Sequence, residues 1–119
     1  MGANSRNKGA NAERAVTSWL RDNGFPYAER RIAGMDDDKG DVTGIGPLVV
    51  EVKDRDRHDF PAYYRQLLDE MEAAGVNDGI VLAKRKRHPS PGEWYALMPA
   101  EMAVRLLREA GHGDGNSNS

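Results

Sequence analysis

The stretch GDVTGIGPLVVEVKDR, residues 40–55, constrains the fold more than any other part of the chain. Val42-Thr43 and Leu48 to Lys53 are rich in β-branched and aliphatic residues, and Gly44-Ile45-Gly46-Pro47 between them is a strong turn signal. Two short antiparallel strands joined by that turn are the expected structure. With the turn centred on Gly46, Asp41 faces Glu51 and Thr43 faces Val49. Side chains alternate between the faces of a strand. One face therefore collects Asp41, Thr43, Val49, Glu51 and Lys53. The other collects Val42, Leu48, Val50 and Val52, an apolar set that needs a core. A slip of one residue would bury the charges instead, so core burial selects the register that gathers them.

Facing residues have Cβ atoms ~5 Å apart, and like charges placed there are destabilising. A divalent cation between Asp41 and Glu51 resolves the conflict, because Mg²⁺ takes oxygen ligands and is commonly held by one or two carboxylates. Mn²⁺ can take its place. Lys53, on the same face, stands where an ammonium steadies a phosphate or a developing negative charge. Two carboxylates, a metal and a lysine make a site for metal-assisted hydrolysis of a phosphodiester. The competing expectation is a hairpin whose charged face is merely solvated.

The rest of the chain frames this hairpin. With 119 residues it is long enough for one compact domain, expected over residues 1–110, with 111–119 as a disordered tail. There are no cysteines, which excludes disulfides and thiolate zinc sites. No apolar run has the length of a membrane span or a signal peptide, so a cytoplasmic protein with no membrane partner is expected. The net charge of −2 is unlike a generic nucleic-acid coat protein. The basic residues are nevertheless clustered, in RNK (6–8), ERR (29–31), KDRDR (53–57) and KRKR (84–87). Each run taken singly reads as solvated surface. Together, bordering one site, they read as a phosphate-binding surface built from Arg6, Lys8, Arg14, Arg30, Arg31, Arg55, Lys84, Arg85, Lys86 and Arg87.

Residues 1–8 are polar and expected to be loose. Ala12, Ala15, Val16, Trp19 and Leu20 recur at helical spacing over residues 10–23, with Gly24 at the C-terminal cap. Glu13 falls on the shoulder of that stripe. FPYAERRIA (25–33) reads as a strand leading to an acidic turn at 35–40. After the hairpin, Asp59 is the expected N-cap of a helix marked by Phe60, Tyr63, Tyr64, Leu67, Leu68, Met71 and Ala74 and closed at Gly75. Its tyrosines read as core. GIVLAKR (79–85) reads as a central strand covered on both faces, EWYALMP (93–99) as a returning strand, and Pro99 to about Glu109 as a last helix. His58, His88 and His112 read as solvated. The order α-β-β-β-α-β-β-α predicts an α/β fold, a mixed sheet flanked by helices.

Asp41 followed by Glu51-Val52-Lys53 at the end of a hairpin resembles the PD-(D/E)XK (restriction-endonuclease-like) nuclease core. A preceding helix with a glutamate, here KGANAERAV, resembles the archaeal-type Holliday junction resolvases of that superfamily and small phage-encoded resolvases. The resemblance covers roughly residues 6–104. It departs at Gly40, where the family has proline. It implies a Mg²⁺-dependent endonuclease with Glu13, Asp41, Glu51 and Lys53 in the active site, the three carboxylates serving the metal. Related nucleases also carry a polar residue on the helix after the hairpin, which makes Gln66 a further candidate. The implied substrate is DNA, a four-way junction in particular. The implied working unit is a homodimer, with Trp94, Met98, Met102 and Leu106 as its contact surface or as core. A phage-encoded protein would act in the host cytoplasm. Two alternatives stay open: a nuclease of this fold acting on mismatched, single-stranded or restriction-type sites, and a non-catalytic nucleic-acid-binding module.

Overall fold

The apolar stripe at residues 12–20 becomes the inner face of helix α1 (Gly2–Asp22), where Ala12, Val16 and Leu20 are buried. The structure, a computed structural model, describes residues 2–31 and 39–114, with side chains from Lys8 onward. Helix α1 begins well before the expected residue 10. Residues 2–11 contain no proline or β-branched residue to stop a helix that the packed stripe has nucleated. Strand β1 (Glu29–Arg30) is shorter than expected, because Phe25-Pro26-Tyr27 is spent on a turn in which the Ala28 amide donates to the Phe25 carbonyl at 3.1 Å. The acidic turn expected at 35–40 lies largely outside the described residues.

Strand β2 (Val42–Thr43) pairs with β1 in a two-stranded antiparallel ribbon, Glu29 opposite Thr43 and Arg30 opposite Val42. This differs from the expected hairpin, in which β2 laddered with β3 (Leu48–Lys53). The turn explains the difference. Gly44 and Gly46 have φ of 80° and 84°, and Ile45 between them is buried in the core. A Cβ on Gly44 would stand 2.0 Å from the Tyr27 carbonyl oxygen, so only glycine passes there. The chain curls inward at Ile45, and β2 touches β3 mainly through Asp41.

A second sheet runs β3-β4-β5, with β4 at Asp78–Ala83 and β5 at Tyr95–Leu97. Strands β3 and β4 are parallel, Leu48 opposite Asp78 through Lys53 opposite Ala83, and β4 and β5 are antiparallel. The sheet is mixed, and β4 is its central strand, as its unbroken apolar run requires. Helix α2 (Phe60–Ala74) makes the crossover between the parallel strands. Asp59 caps it by accepting the Ala62 amide at 3.1 Å, and Gly75 ends it in the left-handed conformation. A short 3₁₀ turn (Pro91–Glu93) precedes β5, and α3 (Ala100–Glu109) closes the fold.

The sheet is covered on both sides, which makes an α/β sandwich. Val50, Val52 and Leu82 pack against Ala12, Val16 and Leu20 of α1. Val49, Val81 and Ala83 pack against Tyr63, Leu67 and Met71 of α2. The alternation along β3 is therefore as the sequence predicts, but the face that carries Glu51 and Lys53 is roofed by α2 rather than solvated. Among the described residues no helix is long and apolar enough to cross a membrane.

Candidate active site

Asp41 is fixed to the backbone on either side of Glu51. Its amide donates to the Val50 carbonyl at 2.8 Å, and its Oδ2 accepts the Val52 amide at 2.7 Å. Its own carbonyl is taken by the Arg31 amide at 2.9 Å. The carboxylate thus completes with β3 the pairing that the β2 backbone has given to β1. Gly40 precedes it with φ of 101°, and a Cβ there would meet the Val50 carbonyl oxygen at 3.0 Å. Proline, locked near −65°, cannot occupy that position. Glycine at position 40 is thus a requirement of this backbone.

Glu51 is 2% exposed and points under α2. There Gln66 gathers the site. Its Oε1 accepts from Lys53 Nζ at 2.7 Å, and its Nε2 donates to Glu51 Oε1 at 3.0 Å and to Glu70 Oε2 at 3.1 Å. The amide presents its acceptor to the ammonium and its donors to the carboxyls. Lys53 is only 11% exposed and lies 3.8 Å from Glu51 Oε1. Its ammonium also sits 5.4 Å from the centre of the Tyr63 ring. The structure thus brings Asp41, Glu51, Lys53 and Gln66 together. It adds Glu70, 6% exposed, which the sequence reading did not select. Tyr63, Leu67, Glu70 and Ala74 follow helical spacing, so a glutamate on the apolar stripe of α2 was the available signal.

Buried carboxyls resist ionisation. Burial pushes the Asp41 carboxyl up to about 6, against the Val52 amide and Lys53, which favour the charge; the nearby Glu13 and Glu70 reinforce the rise. Glu51 is pushed well above the ordinary carboxylate range, first by burial and then by its contact with Glu70 and the charge of Asp41. Glu51 Oε2 and Glu70 Oε1 are buried with no partner among the described residues. Among those residues no three His, Cys, Asp or Glu side chains converge as a metal-holding group. Mg²⁺ commonly takes only one or two carboxylates and keeps several waters. The Asp41–Glu51 pair and an orphaned buried carboxylate oxygen fit such an ion.

Glu13 is turned toward β1, where Arg30 donates to its Oε1 from Nε at 3.0 Å and completes the ion pair with Nη2 at 3.0 Å. Arg31, expected at the phosphate surface, turns its guanidinium to backbone carbonyls. Its Nε donates to the Gly40 carbonyl at 2.8 Å, with longer bonds to those of Lys39 and Val42, so it clasps the loop that carries Asp41. Arg14 and Arg30 line a groove of about 510 Å³ beside α1. Lys8, Arg55, Lys84, Lys86 and Arg87 line a separate cleft of about 260 Å³ next to Lys53. There Asp54 pairs with Lys8 at 3.6 Å and with Lys84 at 3.8 Å. Arg85 borders the adjoining cleft. The side chain of Arg6 lies outside the described residues.

His58 is partly buried rather than solvated as expected, and His88, at the surface, is paired. In its neutral form the His58 ring donates from Nε2 to the Lys84 carbonyl at 2.8 Å and accepts the Tyr63 hydroxyl at Nδ1, 2.9 Å away. His88 pairs with Glu93, and its carbonyl accepts the Trp94 indole N–H at 2.7 Å. Comparison with known protein families, characterised proteins and solved structures gives no match for this chain.

Proposed function

We propose that the chain is a Mg²⁺-dependent DNA endonuclease whose active site is Asp41, Glu51 and Lys53. One observation carries the reading. Glu51 and Lys53 sit side by side beneath α2, with Asp41 hydrogen-bonded to the strand that bears them, and the cluster leaves a buried carboxylate oxygen unpartnered. A structural ion pair needs neither a second and third carboxyl nor an orphaned acceptor, and their cost is expected at functional sites. Asp41 and Glu51 would hold the metal, which supplies Lewis acidity and an activated water. Lys53, held by Gln66, presents a fixed positive charge to the phosphate and to the charge that grows on it. Glu13 serves the same site once released from Arg30. The basic clefts hold phosphates on either side and read no sequence.

Within that class the four-way junction is the leading substrate, since clefts that hold phosphates respond to the shape of the backbone rather than to base sequence. Resolving a junction takes two symmetry-related cuts, which one site per chain supplies only as a two-fold dimer. Trp94 and Met102, expected either at the dimer contact or as core, are buried in the chain's own core, while Val104, Leu106 and Leu107 of α3 are exposed. These three offer an apolar surface to a second copy. The burial of Trp94 and Met102 favours a second reading, a monomeric nuclease that makes single nicks. The test compares Mg²⁺-dependent cleavage of a four-way junction, a continuous duplex and single-stranded DNA, with the mass in solution measured alongside. Selective paired cuts by a species of twice the chain mass support the resolvase. Single nicks by a monomer support the second reading. No cleavage of any DNA removes the nuclease.

A further inference from the structure

Tyr95 is 49% exposed, an unusual place for a large aromatic ring beside so much positive charge. It stands on β5 at the mouth of a cleft of about 280 Å³ shared with His58, Arg55, Lys84, Arg85 and Lys86. The ring is steadied by near-perpendicular contacts with His58 and Phe60, 6.1 and 5.8 Å between centroids. The Arg85 guanidinium lies 5.9 Å over it, anchored by a 3.0 Å bond to the Glu93 carbonyl. The neighbouring cleft shares Arg55, Lys84 and Lys86 and adds Lys8 and Arg87. Across both, six cationic side chains face the carboxylates of Asp54 and Asp56.

This surface is joined to the reactive cluster. Tyr63 lies under the Lys53 ammonium and donates its hydroxyl to His58, which packs on Tyr95. The Lys84 amide donates to the Lys53 carbonyl at 2.9 Å. Cationic clefts follow a phosphate backbone. An exposed ring with a guanidinium over it offers what backbone charge does not, a π-surface for a base. Bases inside a duplex have both faces covered by their neighbours, so only an unstacked base can use the ring.

We propose that Tyr95, with Arg85, is a stacking platform for a nucleobase splayed from a DNA strand whose phosphates lie in the two adjoining clefts. The site therefore selects DNA with unpaired nucleotides beside the scissile phosphate. The proposal rests on the nuclease reading only for the position of that phosphate; stacking itself is a matter of binding. The experiment uses the whole chain in EDTA, so that nothing is cut, and DNA carrying 2-aminopurine at an unpaired position next to a branch. Binding to the wild type quenches the fluorophore. Tyr95→Ala abolishes the quench and weakens binding to this DNA about tenfold, with no change for continuous duplex. Tyr95→Trp restores both, which shows that the loss is not misfolding. Lys86→Ala weakens binding to both DNAs alike and lowers the salt dependence by about one ion. Equal affinity of wild type and Tyr95→Ala for the branched DNA, or an equal loss on duplex, overturns the platform. A wild type that quenches but never cleaves leaves the platform standing and removes the nuclease instead.

Discussion

Asp41→Asn is expected to stabilise the metal-free protein at neutral pH while destroying its site. The asparagine oxygen still accepts the Val52 amide, so the tie to β3 survives. What disappears is a carboxylate whose pKa is raised by burial from 3.8 to about 6. A carboxyl with a folded pKa above its unfolded value holds its proton more tightly when folded. Stability is therefore lost as pH climbs from about 4 through about 6, and stays lost above that. Roughly two pKa units at 1.36 kcal/mol each give about 3 kcal/mol. Denaturant unfolding in EDTA at intervals from pH 4 to 8 should show variant and wild type nearly equal at pH 4. They should diverge through pH 6 to a plateau of about 3 kcal/mol, on the order of 10 °C in melting temperature. A difference that does not vary with pH, or a variant less stable than wild type at pH 7, would refute the buried-carboxylate reasoning.

Two further substitutions separate positioning from binding. Gln66→Leu keeps the bulk of the side chain but leaves Lys53, Glu51 and Glu70 each short of a partner; a loss of about 2–4 kcal/mol in urea unfolding and a marked drop in cleavage are expected. Arg31→Ala strips the clasp from the Gly40 loop and should cost about 1–3 kcal/mol, while DNA affinity measured by fluorescence anisotropy stays within a factor of two or so of wild type, the loss of a single phosphate contact being excluded.

Local signals reported local structure. Asp59 and Gly75 delimit α2, and the alternation from Leu48 to Lys53 divides the two core layers, because caps and side-chain period are set within a few residues. Glu51 and Lys53 share a face for the same reason, whereas Asp41 joins them through its bonds to Val50 and Val52 and not through the expected hairpin ladder. The pairing of β2 with β1 was not, since it depends on Ile45 finding the core beside α1. Glu70 escaped because its role appears only when α2 lies over β3. Charge alone does not reveal that Arg31 meets backbone carbonyls or that Arg30 meets Glu13, contacts that appear only in the fold. Trp94 and Met102, open in the sequence between dimer contact and core, are core, because apolar character alone does not say what covers it.

Single-turnover cleavage of a labelled four-way junction with Mg²⁺, wild type against Lys53→Met, tests the central claim most directly. Methionine keeps the apolar stem in its mostly buried position and removes only the ammonium that Gln66 holds. The expected result is a rate at least ~100-fold lower with junction binding in EDTA unchanged. Cleavage at the wild-type rate would show that the lysine and the carboxylates beside it are not where the phosphodiester is broken.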